Sequence, residues 1–127
     1  MQNQKSAIGL DGNIAALLGY IIWILGLVLI FMEKDNKFVR FHALQSVIWG
    51  VACFVGIFVV AIVGTILGLI VSQISGALGG IIGILAMLLY LGLFIAWFGG
   101  IIYGAIKSYG GEMTKLPVVG NMVEKWV

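Results

Sequence analysis

Apolar residues fill three long stretches of the chain, and polar residues gather in the short segments between them. The first stretch, Asn13 to Met32, has 20 residues, close to the ~20 that a helix needs to cross ~30 Å of hydrocarbon. Asp11 or Asn13 is placed to cap a helix starting at Ile14. The stretch stops at Glu33-Lys34-Asp35-Asn36, since each charge costs ~2.5–3.5 kcal/mol near the membrane centre. From Phe38 to Val71 there is neither Pro nor a turn cluster, yet a continuous helix of that length, ~51 Å at 1.5 Å per residue, overshoots a bilayer. The pattern therefore predicts an interfacial segment over 38–46 at the cytoplasmic edge. A span from about 47 to 71 follows, either in line with that segment as one tilted helix or set off by a bend. Ser72-Gln73-Ile74-Ser75-Gly76 with Gly79-Gly80 predicts a tight turn. The third span runs from about 81 to 106, with Trp97 and Tyr103 towards its far end. Gly110-Gly111 suit a helix C-terminus. Beyond them Leu116, Val119, Met122, Val123 and Trp126 recur at helical spacing opposite Asn121, Glu124 and Lys125, with Pro117 in the first turn. That predicts an amphipathic surface helix over 114–127, with a frayed tail as the alternative.

Composition turns these elements into a class. With 62% hydrophobic and 9% charged residues, and no Asp, Glu, Lys or Arg from Phe41 to Ile106, the chain can cover its surface only if the solvent is hydrocarbon. The expected architecture is an all-α integral membrane protein, one domain over residues 1–127 with three transmembrane helices. The first stretch follows Lys5 near the N-terminus, but its length and the lack of a small-x-small pattern after it argue for a retained span rather than a secretory signal. Three spans put Lys34, Lys37, Arg40, Lys107, Lys115 and Lys125 on one face and only Lys5 on the other. The richer face should be cytoplasmic, giving a multi-pass plasma-membrane protein with its N-terminus outside and its C-terminus inside. Four shorter spans would put Lys107, Lys115 and Lys125 outside, against that rule. A net charge of +2 on scattered carriers excludes a nucleic-acid surface. Cys53 is the only cysteine, so there is no internal disulfide or cysteine metal cluster, and a small buried hydrophobe is its ordinary role.

Two groups of residues stand out. Gly92, Ala96, Gly100, Gly104 and Ser108 place small side chains at every fourth position of the third span, and Ala52, Gly56, Gly64, Gly68 and Ser72 form a similar row in the second. Such rows let backbones approach closely and pack by dispersion, within one chain or across two copies. His42, Gln45 and Ser46 share a helix face with Trp49, and Arg40 lies nearly opposite. A polar face at that depth packs on a partner helix or lines a wet cavity where a His can bind a ligand or sense pH. The plainer reading is interfacial solvation, with Arg40 on lipid phosphate. No phosphate loop, GxSxG elbow, HExxH or intramembrane carboxylate is present. Neither enzyme chemistry nor ion-coupled transport is therefore expected, and no cofactor or metal is implied.

Three blocks, Gly9 to Tyr20, Glu33 to Ser46 and Leu116 to Asn121, resemble the small prokaryotic membrane proteins of the Tic-twenty-like family. The resemblance extends from about Ile8 over nearly the whole chain. It implies a helical integral membrane protein of a bacterium or archaeon and, through a remote chloroplast relative described with four membrane helices, a setting in protein import. It brings no catalytic residues; only Arg40, His42, Gln45 and Ser46 fall in its most specific block.

The function expected from all this is non-enzymatic: association through helices, with a second copy or a larger membrane complex, in protein translocation or membrane homeostasis. The alternative is a small passive channel, transporter or lipid-binding protein with a polar cytoplasmic mouth at His42, Gln45 and Ser46. The partners implied are the lipid bilayer and a homo-oligomer or membrane-protein partner.

Overall fold

The uncharged stretch folds as two long helices, and the apolar stretch before it does something else. A computed structural model describes residues 4–127. In chain order the helices are α1 (Gly12–Ile21), α2 (Trp23–Met32), α3 (Lys37–Ile74), α4 (Gly76–Tyr109) and α5 (Val119–Glu124). Among the described residues there is no sheet, only an isolated bridge between Lys5 and Asp11. The chain divides into two compact units, one from Met1–Gly50 with Phe98–Val127 and the other Val51–Trp97.

In the first unit the expected span over 13–32 is a helical hairpin. Ile22 takes an extended conformation (φ −109°, ψ 99°) between two helices of 10 residues each, so each leg is only ~15 Å long, half a bilayer core. The legs close on one another because Gly19 and Gly26 present no side chain: a Cβ on Gly26 would lie 2.9 Å from the Gly19 carbonyl oxygen. Ala15, Ala16 and Leu29 then meet Phe38, Val39 and Ala43 of α3 in a buried cluster. Asp11 stands at the N-cap position, but its carboxylate pairs with Lys5 at 2.7 Å and makes no cap hydrogen bond.

Both ends of the hairpin are tied to charged segments. The Ala7 N–H donates to Glu33 Oε2 (2.7 Å), Asn36 Nδ2 donates to the Gln4 carbonyl (2.9 Å), and Asn13 Nδ2 donates to the Tyr109 carbonyl (3.1 Å). The N-terminal segment thus lies with the α2–α3 connection and the end of α4. The expectation of an N-terminus set across a span from the C-terminus assumed a single helix over 13–32, and that helix is interrupted at Ile22.

α3 is continuous over 38 residues, so residues 38–46 are its opening turns rather than a separate interfacial helix. α4 ends in a glycine-terminated Schellman turn: Gly111 has φ +81°, the Glu112 N–H reaches the Lys107 carbonyl and the Gly111 N–H that of Ser108. The tail is helical only over Val119–Glu124, six residues rather than the expected 114–127. Glu112 to Pro117 instead runs as an irregular segment whose Leu116 is buried with Tyr20 and Ala105.

In the second unit α3 and α4 pack antiparallel across a connection at Ser75, tighter than the glycine-rich turn expected through Gly80. Large side chains such as Phe58, Ile66, Leu88 and Ile95 are more than half exposed. α3 and α4 are long and apolar enough to cross a membrane. Two such helices, not three, are present among the described residues.

Candidate functional site

The polar face at the start of α3 is the most elaborated site in the molecule. α1 brings Tyr20, α3 brings His42, Gln45 and Ser46 one turn apart, and the segment after α4 brings only its backbone. His42 and Gln45 are completely buried and Tyr20 is nearly so. His42 Nε2 lies 2.9 Å from the Glu112 carbonyl oxygen and Nδ1 lies 2.8 Å from the Tyr20 hydroxyl. A carbonyl only accepts, so Nε2 carries the proton, Nδ1 accepts, and the hydroxyl donates to it. Gln45 Nε2 donates to the same hydroxyl (2.7 Å) and to the Thr114 carbonyl (2.9 Å). Gln45 Oε1 accepts from the Leu116 N–H (2.8 Å). Every arrow is thus determined, and both His42 nitrogens and three of the four hydrogen-bonding positions of the Gln45 amide are in use.

Packing closes the remaining space. The rings of Phe38, Phe41 and Tyr20 stand edge-on to the His42 ring at 4.7, 5.2 and 5.5 Å. Ser46 Oγ donates to the Gly19 and Ala43 carbonyls at 3.1 and 3.0 Å, joining α3 to the hairpin. Gly120 lets α5 fold back on Lys115; a Cβ there would also meet Gln45 Oε1 at 2.9 Å. Chemically the cluster is a neutral, internally satisfied clamp that holds Glu112 to Leu116 onto α1 and α3.

Of the four residues proposed from the sequence, the structure brings His42, Gln45 and Ser46 together and places Arg40 elsewhere. Arg40 donates from one guanidinium nitrogen to the carbonyls of Ile30 (3.4 Å) and Glu33 (3.2 Å), at the C-terminal end of α2. A cation there complements the helix dipole. Tyr20 and the carbonyls of Glu112 and Thr114 are the partners that sequence reasoning missed. Spacing gives no hint of them, although a Tyr on a small-residue helix face needs a hydroxyl partner once buried.

The small-residue rows are also resolved. Gly64 faces Ala86 and Gly68 faces Ile82 across the α3–α4 pair, while Gly100 lies under the Trp49 indole and Gly104 under the Tyr20 ring. Gly92 meets nothing within 4 Å and, like Ala96, is exposed. A row at every fourth residue drifts around a 3.6-residue helix, so its two ends serve different surfaces. The second unit also carries an apolar groove of about 370 Å³ lined by Val59, Val63, Leu67, Ile82, Leu85 and Leu89. No group of three or more His, Cys, Asp or Glu able to hold a metal occurs among the described residues.

Helices that expose apolar side chains, a charge-free second unit and a polar cluster turned inward define a helical membrane protein. The particular family differs from the one its motifs resemble. The chain belongs to the MamF/MmsF family, described as the magnetosome magnetite crystal formation protein family, whose model matches residues 5–123. That match replaces the Tic-twenty-like assignment: the three blocks that suggested it lie wholly inside the matched region. Similar proteins include a UPF0132 membrane protein of Methanocaldococcus jannaschii, 37% identical over 94% of this chain and 73% of its own. A second from the same archaeon is 34% identical over 96% of this chain and 94% of its own, and one from Archaeoglobus fulgidus is 34% identical over 91% and 94%. No solved structure matches the chain.

Proposed function

We propose that this is a non-enzymatic membrane protein that acts by associating through its helices, with a second copy or with another membrane protein. The observation that carries this reading is the second unit: Val51–Trp97 contains no charge, and its two helices leave large apolar side chains and the backbone at Gly92 uncovered. In lipid, exposed apolar side chains alone do not drive association, whereas an uncovered glycine invites close backbone packing. The inward-turned His42 cluster supports the same view, because a solute-binding mouth would need some of those hydrogen-bonding groups free. The family description concerns magnetite crystal formation; for this chain, association through helices is the property its residues support.

The orientation we propose has both termini in the cytoplasm of a cell whose plasma membrane holds the protein. Lys5 then joins the other six basic residues, all within the first unit, on one face, which the distribution rule for Lys and Arg assigns to the cytoplasm. Reconstitution into nanodiscs at low protein-to-disc ratio, combined with cross-linking in the native membrane, tests association. Oligomers or a captured partner are expected, and Gly92→Leu should weaken them; a strict monomer with no cross-linked partner would sink the reading.

A further inference from the structure

The hairpin leaves one surface that helix association does not account for. α1 is covered up to its last residue, with no exposed position from 12 to 20. α2 is covered on one side only. Ile24, Val28 and Phe31, 69, 38 and 77% exposed, recur along its outer side, and the turn exposes Ile21, Ile22 and Trp23. The opposite end of the hairpin is held among charges, through Ala7 on Glu33, Asn36 on Gln4 and the Lys5–Asp11 ion pair. A hairpin with charged ends, an apolar tip and legs of ~15 Å reaches about half way through ~30 Å of hydrocarbon.

We infer that α1–α2 is a re-entrant hairpin that enters and leaves the bilayer by the face carrying the charged segments. The outer side of α2 and the tip from Ile21 to Ile24 then contact the acyl chains of that leaflet alone. Water is excluded as the neighbour of this surface by its row of bare Ile, Val and Phe side chains, and the charges at its base locate the headgroups. Two packed helices, each ~10 Å across, add cross-section on the order of 150 Å² to one leaflet. One-sided insertion of apolar helix makes membrane binding sensitive to curvature. The protein accordingly favours membranes in which the charged-face leaflet is convex.

The test uses the full chain with Cys53→Ser, which removes its only cysteine, reconstituted in sealed vesicles of phosphatidylcholine and phosphatidylglycerol. Gln4→Cys and Lys125→Cys, both at exposed positions, are labelled with a membrane-impermeant maleimide before and after lysis. They should report the same side, and Ile22→Cys should resist the reagent and form no disulfide-linked dimer under oxidant. Opposite sides for positions 4 and 125 overturn the hairpin, and an Ile22 disulfide assigns the tip to a second copy instead. In mixtures of small and large vesicles, protein density should be several-fold higher on the small ones, with position 125 facing outward; equal density or random orientation overturns the curvature preference. None of these readouts depends on whether copies associate through α3 and α4.

Discussion

A buried hydroxyl that both donates and accepts is the cheapest place to test whether the His42 cluster is a clamp. Tyr20→Phe keeps the ring against Gly104 but leaves His42 Nδ1 without its donor and one Gln45 N–H without its acceptor. Each of the two orphaned buried groups costs ~1–3 kcal/mol, so a loss of roughly 2–6 kcal/mol is expected. Denaturant titration in mild detergent measures it, and a change within error of zero would mean that water already enters the site. Combining Tyr20→Phe with Gln45→Leu should be clearly less than additive, because both remove the same bond. Val118 offers the opposite sign. It has φ 64° and ψ −52° and is bridged by a 2.7 Å hydrogen bond from the Val119 N–H to the Pro117 carbonyl. This is the rare γ-turn, strained in a β-branched residue. Val118 is 74% exposed, so Val118→Gly sacrifices little packing and should stabilise by ~1 kcal/mol. Thermal melts of the two proteins side by side decide it; an unchanged or lower midpoint would show that the turn is not strained.

At the scale of elements, the glycines of α4 separate into positions with opposite responses. A methyl at Gly104 would stand 2.5 Å from the Tyr20 ring, whereas one at Gly92 meets nothing. Gly104→Ala should therefore destabilise by ~1–3 kcal/mol through overpacking. Gly92→Ala should be neutral or stabilising by up to ~1 kcal/mol through lower backbone entropy in the unfolded chain. Equal effects would mean that the helix faces are misassigned. The same contrast shows how far the sequence could be read. α3, α4 and the glycine stop after Tyr109 were legible because uninterrupted apolarity and Gly110-Gly111 are local signals. The break at Ile22 was not. Nothing polar or proline-like marks it, and it exists because Gly19 and Gly26 let two short legs close on each other, a tertiary gain that local propensity does not encode. For the site, side-chain spacing found His42, Gln45 and Ser46. It had no means of finding Tyr20, 22 residues away from His42, or three backbone groups near position 114. For Arg40 the spacing suggested only lipid phosphate and gave no sign of the Ile30 and Glu33 carbonyls at the end of α2.

The whole molecule combines a charge-free second unit with a first unit that holds every ionic group, so salt distinguishes what stabilises the latter. Among the described residues its three ion pairs, Lys5–Asp11, Lys107–Glu112 and Lys115–Glu124, join side chains that are 37–70% exposed. Pairs of that kind contribute ~0–1 kcal/mol each, and 1 M salt shortens the screening length to ~3 Å. The C-terminal segment contributes differently. It buries Leu116, Val119 and Val123 to 4, 5 and 0% exposure, worth ~1.5–3 kcal/mol each on apolar burial. Its backbone also supplies the Glu112, Thr114 and Leu116 partners of His42 and Gln45. Ending the chain after Gly111 should thus cost on the order of 5 kcal/mol or more, while moving the intact protein from low salt to 1 M should shift its melting temperature by only a few degrees. Melting curves in one detergent, with and without salt and with and without residues 112–127, compare the two directly. A salt effect as large as the truncation would mean that surface charge, rather than the buried clamp and its apolar surroundings, holds the first unit together.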